Sequence, residues 1–367
     1  MAKKTFYIIL ITLAGLLIIG GLIWYLFFKP SQPAPVSGGA DFTTPGKIAA
    51  GKLRAISDGP VISAIYNPAQ DMVFFYDFSG QLWQSVNGEA STLIDQPLIS
   101  NSAEVTWSKN LKNIVKSSAN QSDINYTFSD FTKRMTASLK SNIKSLAFSP
   151  DSAKIVYQLA DNQNINSLFT STSDGKNQRA LITSLKLRDT VLAWPKTNKI
   201  SFTSKPSGLA RGNLWNLDVR NLIFTKTLNG FFGLETLWSP DGNNLIYSFT
   251  DQNGRNPKLA VLDSKGSSKD LGNISTLVDK CVWLSDSINI ICAVPASWLE
   301  SLVLPDDYYK RTSLTTDDVW KINAKTEEKK LIASGLGDVT NILIGENENA
   351  LFFILRNNQF FYRLNIE

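Results

Sequence analysis

From about residue 60 to the C-terminus the chain repeats one unit roughly every 40 to 60 residues. Each unit reads as apolar strand, tight turn, apolar strand, polar loop, strand, turn, strand. The pattern is sharpest where Leu146-Ala147-Phe148-Ser149-Pro150-Asp151-Ser152-Ala153-Lys154-Ile155-Val156-Tyr157 is echoed by Leu237-Trp238-Ser239-Pro240-Asp241-Gly242-Asn243-Asn244-Leu245-Ile246-Tyr247. A unit of short strands alone cannot bury its apolar face, so such units stack on one another. The expected fold is all-β, a seven-bladed β-propeller, with six blades plus a stray sheet as the alternative count.

Aligning the units on the residue that ends the first strand gives seven anchors: Tyr66, Trp107, Phe148, Trp194, Trp238, Trp283 and Ile344. Second strands follow each anchor, among them 154–159 and 350–355. Many are continuously apolar rather than alternating, as expected where a sheet is covered on both faces. The last unit has room for only three strands before Glu367, whereas a segment near 52–57 has no unit of its own. Its expected place is the outer edge of the last sheet, where it removes an open seam.

The turn between first and second strands has its own chemistry. In Ser239-Pro240-Asp241-Gly242, proline presets φ near −65°, serine can bond back to the backbone, and glycine suits the exit. Ser149-Pro150-Asp151-Ser152 and Asn67-Pro68-Ala69-Gln70 are worn versions, and Asp174-Gly175 marks a turn between third and fourth strands. In these residues the units resemble the WD40-like repeats of TolB-type propellers, clearly at 146–182 and 237–272 and by spacing elsewhere. That resemblance implies a protein-interaction module working outside the cytoplasm. TolB carries a separate N-terminal domain that has no counterpart here, so its function is not carried over.

The first fifty residues read differently. Thr5 to Phe28 is uncharged and rich in Ile and Leu, with Trp24 and Tyr25 near its outer end. About 20 apolar residues span a bilayer as a helix, and aromatics favour the interface. A cleaved signal usually has a shorter apolar region of about 7–15 residues. The expectation is a cytoplasmic tail over 1–4, a transmembrane anchor over 5–28 and a Pro/Ser/Gly tether over 29–50, with the propeller over 51–367 outside the cytoplasm. Lys3, Lys4 and Lys29 supply most of the net charge of +5, which leaves 34 positives against 32 negatives beyond them. No basic block points to a nucleic-acid partner.

Histidine is absent from the chain. Ser-His-Asp and Cys-His catalysis and His-ligated zinc are thereby excluded. No Gly-x-Ser-x-Gly elbow or phosphate-cradling glycine loop occurs, and neither a cofactor nor a catalytic residue is assigned. Two carboxylates could still do acid–base work, which keeps an envelope hydrolase or lyase with a carboxylate site at the propeller channel as the alternative. Clustered, buried acids and arginines at one channel mouth would favour that enzyme; an apolar surface there would favour binding. A third reading is glycan recognition through exposed aromatics. Asp306-Asp307 and Asp317-Asp318 lack the ligand spacing of a calcium loop and read as solvated loop acids.

Cys281 and Cys292 flank the turn Ser285-Asp286-Ser287 at nearly equal distance. In register they come within disulfide range, and the alternative is two buried free thiols. Pro295–Asp318 is the outlying loop, about 24 residues where its counterparts take seven to nine. Trp298, Leu302, Tyr308, Tyr309, Lys310 and Arg311 are its partner-binding candidates, since Trp, Tyr and Arg dominate binding hot spots. The other reading is a lid that buries its aromatics on the propeller. The partner, an envelope protein or a glycan, is not named by any residue pattern.

Overall fold

The computed structural model describes residues 53–95, 104–118, 124–161 and 163–366. The expected tail, anchor and tether lie outside the described residues, among which no helix is long and apolar enough to cross a membrane. Antiparallel strands make up nearly all of the regular structure. They form five four-stranded sheets and one seven-stranded sheet.

The first sheet shows the common pattern: Val61–Asn67, Met72–Asp77, Leu82–Val86 and Ser91–Asp95 lie side by side in chain order. Second strands expected at 154–159 and 350–355 run as Lys154–Ala160 and Ala350–Leu355. The seven-stranded sheet owes its length to Ile223–Trp238, a single strand of 16 residues. Its first half pairs with Arg211–Asp218 and its second half with Leu245–Thr250, and Phe232 pairs with both neighbours. Gly230 and Gly233, at φ +82° and +61°, mark the bend between the halves. A methyl group on Gly233 would meet the Thr250 side chain at 2.9 Å, so glycine is required there.

Alternation along the second strands explains why they read as unbroken apolar runs. Side chains of neighbouring residues point to opposite faces, and here both faces are covered. Val73 and Phe75 pack with Phe352 and Ile354, whereas Phe74 and Tyr76 pack towards Trp107. Likewise Tyr247 packs with Leu214, while Ile246 packs with Ile290 and Cys292. Ile291 and Ala293 meet Leu351 and Phe353. Each sheet thus shares one apolar core with the sheet before it and another with the sheet after it. Burying each such side chain contributes about 1.5–3 kcal/mol.

The last sheet joins the two ends of the described chain. Leu53–Ala55 pairs with Phe361–Asn365, with Leu53 opposite Leu364 and Ala55 opposite Tyr362. The Ser57 hydroxyl accepts from the Phe361 amide at 3.0 Å and extends the seam. Phe361–Asn365 runs parallel to Val339–Ile344, towards the end that carries the first-to-second turns. Leu53 therefore enters the sheet at that same end.

The turns hold their shape by local hydrogen bonds. Ser239 donates to Asp241 at 2.6 Å and accepts from the Asn244 amide at 2.9 Å. Partial burial pushes the Asp241 carboxyl up, but hydrogen bonds from Ser239, Asn243 and Ser287 outweigh it and hold it at about 2. Ser149 and Asp151 repeat the arrangement at 2.6 Å, with Ser152 taking the left-handed φ of +58°.

Candidate functional site

A cavity of about 620 Å³ opens at the end that carries the Ser-Pro turns. Its wall is built by the last residues of five successive first strands: Glu104–Trp107, Ile143–Phe148, Thr190–Lys196, Ile223–Trp238 and Cys281–Trp283. Each ends on an aromatic residue or carries one close to its end, so Trp107, Phe148, Trp194, Trp238 and Trp283 gather around it. Pro150, Pro195 and Pro240 of the turns complete the rim.

The indoles are oriented by the neighbouring sheet. Trp107 donates to the Ser63 hydroxyl at 3.0 Å, Trp238 to the Ser201 hydroxyl at 2.9 Å and Trp283 to the Leu237 carbonyl at 3.0 Å. Lys199 lies over the Trp238 ring at 4.4 Å. Trp194 differs: its indole N–H is buried without an acceptor among the described residues. Among the described residues no acid lines the cavity, and Lys109 is the one charged residue in its lining. A site of this volume and chemistry suits an apolar or aromatic group with few polar contacts.

The opposite end carries the long insert, which folds back onto the sheets. Leu302, Leu304 and Tyr308 are buried against Leu277, with Trp298 packed alongside. The Trp298 indole donates to the Ser275 carbonyl at 3.1 Å. The Leu304 amide donates to the Gly254 carbonyl at 2.7 Å, and Asp306, opening the single turn of helix Asp306–Tyr309, accepts from the Gly208 amide at 2.6 Å. Asp307 accepts from the Val303 amide at 2.8 Å and pairs with Lys310 at 3.3 Å. Of the six candidates named from the sequence, Leu302 and Tyr308 are turned inward, because their apolar surface is better covered by Leu277 than by water. Trp298 is half-buried. Tyr309, Lys310 and Arg311 remain on the surface.

Beneath the insert lies a charged cluster with no sequence signature. The Lys280 ammonium sits 2.8 Å from Asp317 and 2.5 Å from Asp338, and Arg356 pairs with Asp338 at 2.8 Å. Asp317 also accepts from the Thr315 hydroxyl and the Val339 amide. Asp317 is therefore not the solvated loop acid its sequence setting suggests: it is fully buried. Burial pushes its carboxyl up, against the downward pull of Lys280. The Tyr308 ring closes the cluster, with the Arg356 guanidinium 4.1 Å from its centre and Lys280 5.3 Å. Two cations face two carboxylates, their hydrogen bonds are largely satisfied internally, and Lys280, Asp317 and Asp338 have no exposed side-chain surface. The arrangement is structural, pinning the insert and two neighbouring sheets.

Glu235 is a second buried acid at this end. It accepts from Ser248 at 3.1 Å and from the Tyr309 phenol. Burial pushes its carboxyl up to about 8, the nearby Asp279 carboxylate adding to the rise and the Tyr309 hydrogen bond opposing it. Cys281 and Cys292 pair across their strands and are joined as a disulfide, with Cα atoms 4.1 Å apart.

Sequence spacing located the anchors that became the cavity wall, but not their convergence. Lys280 and Arg356 had no signal at all, since each is a lone cation in an ordinary stretch.

No protein-family model matches the chain, and no curated protein matches it in sequence. Solved structures do match in fold. An oligogalacturonate lyase in complex with manganese superposes with a TM-score of 0.60 at 10% identity, covering 86% of this chain and 93% of that one. Oligogalacturonate lyase from Vibrio parahaemolyticus gives 0.59 at 9% identity, covering 86% and 93%. TolB from Acinetobacter baumannii covers 81% of this chain and 76% of its own at 14% identity, with a TM-score of 0.45. The fold is a β-propeller, shared with the two lyases.

Proposed function

We propose that this chain is a seven-bladed β-propeller, held by an N-terminal membrane anchor outside the cytoplasm, that binds a protein partner of the cell envelope without doing chemistry. Dividing the 16-residue strand at Phe232 supports seven four-stranded blades. One observation carries the binding reading: the open cavity is walled by tryptophans, with no acid among the described residues that line it. At the opposite end, by contrast, Asp317 and Asp338 are paired with Lys280 and Arg356 beneath the insert.

Leu53, the first described residue, enters the last sheet at the cavity end. A photo-crosslinker at Lys109, on the full-length protein in its native membrane, tests the reading. The expected adduct with a defined protein is lost in Trp194→Ala and kept when 297–313 are deleted. No adduct, or one insensitive to Trp194→Ala, would overturn it.

The competing reading is a hydrolase or lyase with its carboxylate site under the insert, and the cluster of Asp317, Asp338, Lys280 and Arg356 is the observation in its favour. Turnover of an anionic polysaccharide that disappears in Asp338→Asn, with the fold retained, would establish it over binding.

A further inference from the structure

The insert is fixed at several points, but only one of them joins it to a buried acid that no base neutralises. Tyr309 belongs to the insert; its ring is half in solvent, yet its phenol reaches inward to Glu235. Glu235 lies in the second half of Ile223–Trp238, at the end of its buried stretch 233–235. The groups that face its carboxyl are few. From the adjoining strand comes the Ser248 hydroxyl, itself accepting from the Val278 amide at 3.3 Å. From the link between sheets comes the Asp279 carboxylate, and from the insert comes Tyr309. Asp279 in turn accepts from the Tyr308 phenol at 3.1 Å and from Thr340 at 3.2 Å.

We propose that the insert is a proton-held lid: it stays docked while Glu235 is neutral, and loses its hold when that carboxyl ionises. An ionised Glu235 would be a second negative charge beside Asp279, shut away from water. The Tyr309 hydrogen bond favours the ionised form, but burial outweighs it, so the carboxyl is displaced upward on balance. Water reaches the carboxylate most directly if Tyr309 swings out, and with it the adjoining turn of helix. The rest of the insert then rests on the contacts of Leu302, Leu304 and Trp298 alone.

The sign and the window follow from linkage. Undocked and hydrated, the carboxyl ionises near its ordinary value of 4.5; docked, it does so at about 8. The docked form therefore holds an extra proton between those values, and docking weakens by up to about tenfold per pH unit across that window, levelling above it.

Hydrogen exchange on the full-length protein tests this, with protection of amides in 297–313 taken relative to the exchange rate of unstructured peptide at the same pH, which removes the intrinsic pH dependence. Between pH 5 and pH 8 the insert should lose at least tenfold of its relative protection, and Glu235→Gln should abolish the loss. Relative protection that stays constant in the wild type, or a loss that persists in a folded Glu235→Gln, overturns the proposal. Should that variant fail to fold, Tyr309→Phe gives a second reading. It removes the bond that favours ionisation, so the fall should continue beyond pH 8 instead of levelling. A profile identical to wild type overturns the proposal equally.

Discussion

Lys280 and Asp317 pair at 2.8 Å with neither side chain exposed. The ammonium is shared with Asp338 at 2.5 Å, and Asp338 is held from its other side by Arg356. Four separate stretches of chain are tied at this point, and their charges cancel only as a set. Such a cluster contributes little relative to a well-packed apolar core, but removing one member strands the others.

Lys280→Met should accordingly destabilise the protein by about 3–5 kcal/mol, because buried Asp317 loses its only cation and Asp338 one of its two. Denaturant unfolding at pH 7 measures it. A cost below about 1 kcal/mol would mean the carboxylates find water or protons cheaply, contrary to a sealed cluster.

Closure of the last sheet by Leu53–Ala55 predicts a sharp dependence on the start of the chain. Removing residues up to 50 should leave the thermal midpoint nearly unchanged. Removing them up to 57 exposes the edge of Phe361–Asn365 and the core around Ile56 and Phe361. Only the second truncation should unfold earlier and aggregate, as an unpaired edge strand does. Equal midpoints would show that the seam carries no stability.

Gly242 and Gly266 separate two costs. Both have positive φ, +67° and +85°. A methyl group on Gly242 would fall 2.5 Å from the Pro195 carbonyl oxygen, whereas one on Gly266 meets nothing within 4 Å. Gly266→Ala should cost about 1–2 kcal/mol for the left-handed conformation alone. Gly242→Ala should cost clearly more, since two neighbouring turns must move apart. Matching losses in urea unfolding would contradict that close approach.

The Cys281–Cys292 bond closes a loop of sequence separation 11. Chain-entropy reasoning assigns such a loop about 2–3 kcal/mol, lost in the Cys281→Ala, Cys292→Ala double variant. Mass tagging with iodoacetamide should add nothing to unreduced, unfolded protein and two labels after reduction.

Stability should also fall with rising pH over a defined range. Glu235 is protonated in the folded chain up to about 8, whereas its ordinary value is 4.5. Between the two the unfolded chain binds fewer protons, so stability declines by up to about 1.4 kcal/mol per pH unit and then levels. Thermal midpoints of wild type and Glu235→Gln from pH 5 to pH 9 should diverge in slope. Parallel curves would exclude Glu235 as the source.

The repeat unit, the turn chemistry and the unbroken apolar second strands are local properties, and they could be read from residues such as Ser239-Pro240-Asp241-Gly242 and Lys154–Ala160 without any knowledge of contacts. The insert was visible too, as a length anomaly containing Trp298 and Tyr308. Its inward packing was not, because whether a leucine such as Leu302 faces Leu277 or solvent depends on what lies 25 residues away in the chain.

Periodicity by itself determined that the chain stacks short strands into covered sheets, since each residue's face is set by its immediate neighbours. Only the tertiary structure decided that Trp107, Trp194, Trp238 and Trp283 surround one cavity, and that Lys280, Asp317, Asp338 and Arg356 meet under the insert. Those groupings draw on residues far apart in the chain, 58 positions in the case of Lys280 and Asp338. The sequence marks no such pairing, because Coulombic and dispersion forces act on distance in space and leave no period along the chain.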